Sequence, residues 1–175
     1  MILNAWSDGW FDVPAQGGGA PRRVRCALGP AGVIPAQDKR EGDGATPLGI
    51  LPLRRVLFRQ DRGPPPRTAL TMAPIAPDDG WCDAPDNPAY NRPVKLPYPA
   101  SAESMWREDG LYDLVVVLGY NDDPPAPGLG SAIFLHLAKP DYAPTQGCVA
   151  LSRPDMEEVL ALAAPGDALE IRRAD

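Results

Sequence analysis

Histidine, cysteine and clustered basic residues are scarce in this chain, and each scarcity removes a class of function. One histidine and three cysteines, with no C-x-x-C pair, supply no metal-ligand set of the usual spacing, so no metal site is expected. Cys26, Cys82 and Cys148 are also too few and too scattered for a disulfide framework. Their odd number leaves at least one free thiol or an intermolecular bond. No apolar run approaches the ~20 residues of a membrane-spanning helix, and the longest, "LVVVLG", is strand-sized. A formal charge of −6 with dispersed Lys and Arg argues against a nucleic-acid binder, which needs a basic surface for phosphate. The nearest approach to a basic cluster, "PRRVRC", alternates like a strand and reads as a solvated strand face. The opening "MILNAWSDGWFDV" lacks a basic region, a long apolar block and a small-residue cleavage site, so no secretory signal is expected and the chain reads as cytoplasmic.

What the chain does have is proline, β-type runs and one good helix signal. At 175 residues it suits a single domain, residues 1–175, long enough to bury a core. Its 23 prolines far exceed the usual ~5%. They stand between apolar runs, as in "RGPPPRT" and "NDDPPAPGLG", and read as rigid loops of a folded protein. Strands are expected at 22–29, 48–58 (one bent strand or a pair, interrupted at Pro52), 112–120, 131–138, 147–152 and in the closing "DALEIRR". In "SRPDMEEVLALAAPG", Ser152 is placed to cap a helix with Asp155 three residues on. Met156, Val159, Leu160 and Ala163 form its apolar stripe and Gly166 stands past its end. Residues 74–111 are irregular and aromatic, and a segment of that length reads as a lid or binding wall. The class is mainly β with a minor C-terminal helix and a long loop-rich aromatic insertion.

The chemistry concentrates in "FLHLAKPDYAPTQGCVALS", residues 134–152. By the two-residue period of a strand, Ile133, Leu135 and Leu137 share one face, as do Val149 and Leu151. His136 and Cys148 then project from the opposite face. On neighbouring strands they can meet, which matters because a thiol is a poor nucleophile until a base takes its proton. A thiolate–imidazolium pair would react with alkylating agents well below the ~8.5 pKa of a free thiol. Gly147 opens the backbone to a substrate, and the amides of Gly147 and Cys148 are candidate donors to an oxyanion. A buried cysteine and a lone histidine often only pack a core. The shared face, Gly147 and the proline loop together favour catalysis. Cys26 and Cys82 have no histidine near them in sequence and read as structural.

These residues resemble the L,D-transpeptidase catalytic domain, or YkuD, family. Its motif places a histidine on one strand and then Ser/Thr-His-Gly-Cys followed by an aliphatic residue; here His136 precedes Thr145, Gly147, Cys148 and Val149. "GDGATPLG" supplies the family's Thr-Pro-x-Gly turn as Thr46, Pro47 and Gly49. The likeness runs over roughly residues 24–172. Gln146 stands where the family has a second histidine, which leaves proton transfer to His136 alone, and Ala150 stands where it has a polar residue. The His-to-Cys loop is shorter than usual.

The resemblance implies a β-sandwich and a cysteine acyl transfer on diaminopimelate-containing peptidoglycan stem peptides, with no cofactor. Cys148 would attack the carbonyl at the L-centre of diaminopimelate and release terminal D-Ala. The acyl group then passes to an amine as a cross-link, or to water. Thr145 and Gln146, with Tyr90, Asn91 and Arg92 of "YNRPVKLPY", are the candidate substrate-binding residues, Arg92 for a stem carboxylate. A cytoplasmic L,D-carboxypeptidase trimming recycled tetrapeptides is the alternative, and a non-catalytic peptidoglycan-binding module the third reading. Cross-linking of assembled peptidoglycan would instead imply the periplasm or cell envelope.

Overall fold

The protein is described by a computed structural model covering residues 1–15 and 17–174. The elements run β1 (Ile2–Trp6), β2 (Trp10–Val13), β3 (Arg22–Arg25), β4 (Val33–Pro35), a 3-10 turn, β5 (Thr46–Phe58), β6 (Met72–Pro74), β7 (Asp79–Cys82), β8 (Pro93–Lys95) and β9 (Ala102–Ser104). Then follow β10 (Leu114–Leu118), β11 (Phe134–Leu137), β12 (Val149–Leu151), α1 (Arg153–Leu162) and β13 (Ala168–Arg172). The main sheet is ordered β12-β11-β10-β5-β13-β1-β2-β3, with β4 and β6 added to β5. Just past β3, Ala27 exchanges both backbone hydrogen bonds with Ala150 of β12, each 2.9 Å, so the two ends of the path meet. The result is a closed β-sandwich or barrel with one short C-terminal helix, the expected class.

The long strand β5 explains how one sheet turns back on itself. Residues 49–52 pair with β13, and residues 53–58 pair with β10. Pro52, with no N–H for a ladder, falls at this change of partner, while its carbonyl accepts from Gly119 (2.8 Å). The segment is therefore one bent strand. Its alternate side chains Leu51, Leu53, Val56 and Phe58 join an interior to which all eight strands of the path contribute. Helix α1 adds Met156, Val159, Leu160 and Ala163, the expected stripe. Ser152 caps it, accepting from the Asp155 N–H (3.3 Å). Pro154 stands in the first turn, where a missing N–H is harmless.

A second apolar cluster lies on the opposite face of β10 and β11. Trp81, Met105 and Tyr112 cover Val115, Val117 and Phe134 there. Trp81 meets the Phe134 ring edge-on at 5.0 Å, a contact worth about 1 kcal/mol beyond area burial. The covering segment is more ordered than its sequence suggests, since β7, β8 and β9 form a separate three-stranded sheet ordered β8-β7-β9. These strands have three or four residues each, too few for an alternating pattern to show. Among the described residues, no helix is long and apolar enough to cross a membrane.

Candidate active site

Strands β11 and β12 are parallel neighbours, with Leu135 opposite Val149 and His136 opposite Ala150. Continuing that register puts Cys148 opposite Phe134, two residues from His136 and on the same face. Diagonal neighbours on adjacent strands stand roughly 7–8 Å apart, within reach of a long side chain. Leu135, Leu137, Val149 and Leu151 point the other way, into the main core. Cys148 and His136 line one cleft of about 300 Å³. Its walls include Glu103, Arg107 and Tyr112 from the covering segment, and Thr145 and Gln146 from the motif.

The imidazole is fixed by a contact that settles its tautomer. His136 Nδ1 lies 2.8 Å from the Leu137 carbonyl, which only accepts, so Nδ1 carries the proton and Nε2 keeps its lone pair. The Tyr112 ring packs against the imidazole at 5.3 Å. Cys148 Sγ accepts from the Phe134 N–H (3.3 Å) and donates to the Ala132 carbonyl (3.2 Å). Burial pushes the Cys148 thiol up to about 12, against a small opposing pull from the Phe134 N–H. Burial likewise lowers His136 to about 4. Both shifts favour a thiol beside a neutral imidazole over the thiolate–imidazolium pair expected from the motif. Alkylation of Cys148 by iodoacetamide should be slow at pH 7 and still accelerating above pH 9. A rate that plateaus below pH 8 would show that a stable ion pair forms after all.

Neighbouring backbone explains the motif's small residues. Gly147 has φ +117°, and a Cβ there would lie 2.7 Å from the Ala45 carbonyl oxygen. Ala45 directly precedes Thr46, and Thr46, Pro47 and Gly49 form the start of strand β5 rather than the expected turn, so it is the entry to this strand that buttresses the cysteine loop. At Gly29 a Cβ would lie 2.1 Å from the Gly44 carbonyl oxygen, and the Gly29 N–H donates to Thr46 Oγ1 (2.9 Å). Thr145 ties the loop from within: its hydroxyl donates to the Cys148 carbonyl (2.7 Å) and accepts from the Gly147 N–H (3.1 Å). The Gly147 amide is thus occupied and does not face an oxyanion, contrary to the expectation. The Cys148 N–H donates to no acceptor among the described residues.

The "YNR" candidates divide. Asn91 is 4% exposed, and its amide makes four hydrogen bonds. Oδ1 accepts from Trp81 Nε1 (2.9 Å) and the Ala132 N–H (3.0 Å), and Nδ2 donates to the carbonyls of Tyr120 (3.0 Å) and Asn121 (2.7 Å). Nothing remains for a substrate, so Asn91 holds the backbone at Ala132, just before β11, whose carbonyl in turn accepts from the thiol. Tyr90 is buried, donates to Glu41 and accepts from the Gly130 N–H, again a structural role. Arg92 is exposed and lines a different concavity, beside Trp81 and Arg54, rather than the Cys148 cleft. Cations that do line the cleft are Lys39, Arg107 and Lys139. Arg107 and Glu103 sit in the segment read as a wall, but no spacing rule singles them out. Cys26 and Cys82 are buried away from the cleft, as expected, and burial raises the Cys26 thiol to about 12.

A family model described as the L,D-transpeptidase catalytic domain, YkuD, matches residues 12–171. Among solved structures the chain is similar to Mycobacterium tuberculosis L,D-transpeptidase 1, at 15% identity and TM-score 0.44, covering 98% of this chain and 60% of that one. An L,D-transpeptidase from Mycobacterium smegmatis gives 14% and 0.44, covering 97% and 57%. The helical cell shape determining protein Pgp2 from Campylobacter jejuni gives 14% and 0.49, covering 99% and 48%. The chain thus spans 48–60% of the length of these structures. No curated protein sequence matches it.

Proposed function

Because this chain belongs to the L,D-transpeptidase catalytic domain (YkuD) family, we propose that it is a cysteine acyltransferase of peptidoglycan stem peptides, with Cys148 as nucleophile and His136 as base. One observation carries the reading. The thiol and the only imidazole project from one face of adjacent strands into one cleft, with Nδ1 anchored and Nε2 without a hydrogen-bond partner among the described residues.

The neutral resting couple shapes the chemistry. As the Cys148 sulfur bonds to the carbonyl carbon at the L-centre of diaminopimelate, its proton moves to His136 Nε2. The unoccupied Cys148 N–H meets the developing oxyanion. Collapse of the tetrahedral adduct breaks the bond to D-Ala, whose nitrogen takes the proton back from Nε2. A thioester remains. An incoming amine then attacks the thioester carbonyl, its proton passes to Nε2, and the sulfur leaves and is reprotonated. Gln146, exposed at the cleft, takes no part in proton transfer because an amide neither gains nor loses protons near neutral pH. Lys139 and Arg107 replace Arg92 as the cations facing stem carboxylates, with Lys139 the more available because Arg107 is paired with Asp109 at 2.5 Å.

Transfer rather than hydrolysis is the favoured outcome, because the covering segment supplies Asp83, Glu103, Arg107 and Leu111 to the cleft and can hold an acceptor beside the thioester. With a tetrapeptide donor and excess acceptor, cross-linked or amino-acid-exchanged product should exceed hydrolysed tripeptide, read by mass spectrometry. Tripeptide as the sole product at every acceptor concentration would make the protein a carboxypeptidase. Cross-linking of assembled peptidoglycan would put its action in the cell envelope.

A further inference from the structure

A second concavity, of about 180 Å³, is lined from β5, β10 and the segment ahead of β8, and it gathers Arg54, Arg55 and Arg92. It shares no residue with the Cys148 cleft. Asp122 is the one acidic residue among its walls. In a chain with a formal charge of −6, three arginines at one hollow depart from the chain's average.

The backbone aims two of them. Val117 of β10 pairs with Arg55, but Leu118 pairs with Leu53, so Arg54 is an extra residue in β5, a β-bulge. In an unbroken ladder Arg54 would stand opposite Leu118 and point with it into the main core. The bulge releases it outward, and two successive arginines reach the same hollow. Arg54 is then held in place. Its Nε and Nη2 donate to the two carboxylate oxygens of Asp122 (2.8 and 3.2 Å), which leaves Nη1 over. Its guanidinium also occupies the room left by Gly119, where a Cβ would lie 2.6 Å from Nε.

Arg55 and Arg92 have no such partner. Neither guanidinium makes a hydrogen bond or ion pair among the described residues, and that of Arg55 lies 5.9 Å from the centre of the Trp81 ring. With Asp122 offsetting Arg54, two positive charges and two donor forks remain. A phosphate monoester matches them, because near neutral pH it carries almost two negative charges on three accepting oxygens. A carboxylate would satisfy one fork and leave the other charge uncompensated. Val117, Ile133 and Phe134 give the hollow an apolar floor, which strengthens attraction between charges. Its volume is below the ~300–1,000 Å³ of sites that enclose a whole ligand, so the charged group enters and the rest of the molecule stays outside.

We propose that Arg54, Arg55 and Arg92 form a binding site for a dianionic phosphoryl group, supplied by free phosphate or by a phosphate monoester of a small molecule. The site goes beyond the acyl-transfer reading and does not depend on it, so Cys148→Ala protein should bind the group as the parent protein does.

Calorimetry at low salt, well above the second phosphate pKa of ~6, tests this with three probes: inorganic phosphate, glycerol phosphate and the monoanion dimethyl phosphate. The better of the first two should bind with Kd below about 1 mM, and dimethyl phosphate at least tenfold more weakly. Tighter binding of the ester assigns the small molecule as the source, and tighter binding of inorganic phosphate assigns the free ion. Arg92→Gln, a change at an exposed side chain, and Arg55→Gln should each weaken binding at least tenfold. Lys139→Gln, at the Cys148 cleft, should leave it unchanged. The proposal is overturned if neither phosphate binds at about 10 mM or if dimethyl phosphate binds as tightly. It is equally overturned if both arginine variants bind like the parent protein, or if Lys139→Gln abolishes binding while they retain it.

Discussion

Cys148→Ala should fold and lose turnover of stem peptides by on the order of 10³-fold or more, while Cys26→Ala and Cys82→Ala retain most of it. The asymmetry follows from place rather than from burial, since all three thiols are buried. Cys26 belongs to the main core, and Cys82 ends β7 with 0% exposure. Only Cys148 shares a cleft with His136. Loss of its sulfur leaves the Phe134 N–H and the Ala132 carbonyl without that partner, on the order of 1–3 kcal/mol of stability, too little to unfold the chain. Retained turnover in a folded Cys148→Ala protein would move the chemistry away from this residue.

Asn91→Ala should cost stability, about 3 kcal/mol or more, and should also depress turnover. Four hydrogen bonds are lost together, and two of the abandoned groups, the Trp81 indole N–H and the Ala132 N–H, are donors with no substitute nearby. Asn91 also has φ 55°, a conformation that asparagine tolerates and alanine resists. The effect on turnover passes through Ala132, whose carbonyl anchors the thiol of Cys148. Urea denaturation measures the first effect and stem-peptide turnover the second. A variant within 0.5 kcal/mol of the parent protein would show that this clasp is not what holds the 131–134 backbone.

Much of the face that carries His136 and Cys148 was legible because strand alternation is a strong signal. The aliphatic positions around His136 and Cys148 fixed which way the two would point, and the structure places them on one face of adjacent strands. The helix was legible for a similar reason: Ser152, Asp155 and the apolar stripe satisfy both a cap and a 3.6-residue period. Local signals stop there. The hairpin of β1 and β2 was not legible because its strands have only five and four residues, too short for alternation to stand out, and turn at Gly9, at φ 83°. Arg92 looked suited to a carboxylate by composition, yet the next residue in from it, Asn91, is drawn into the interior and leaves Arg92 facing another concavity. The protonation state of the couple was equally invisible in sequence. It depends on how completely the covering segment removes water from Cys148 and His136, which is a tertiary property. The same holds for Glu41, Asp83 and Glu103, which come from distant parts of the chain and meet only in the fold.

The central claim is that Cys148 carries the acyl group. Its most direct test is intact-mass measurement of the protein during incubation with a disaccharide-tetrapeptide, followed by peptide mapping of the adduct. The account predicts a mass increase equal to the disaccharide-tripeptide acyl group, located on the peptide containing Cys148. That adduct should disappear when an amine acceptor is added and should be absent from Cys148→Ala. An adduct on another residue, or turnover without any adduct in rapid-quench samples, would contradict it.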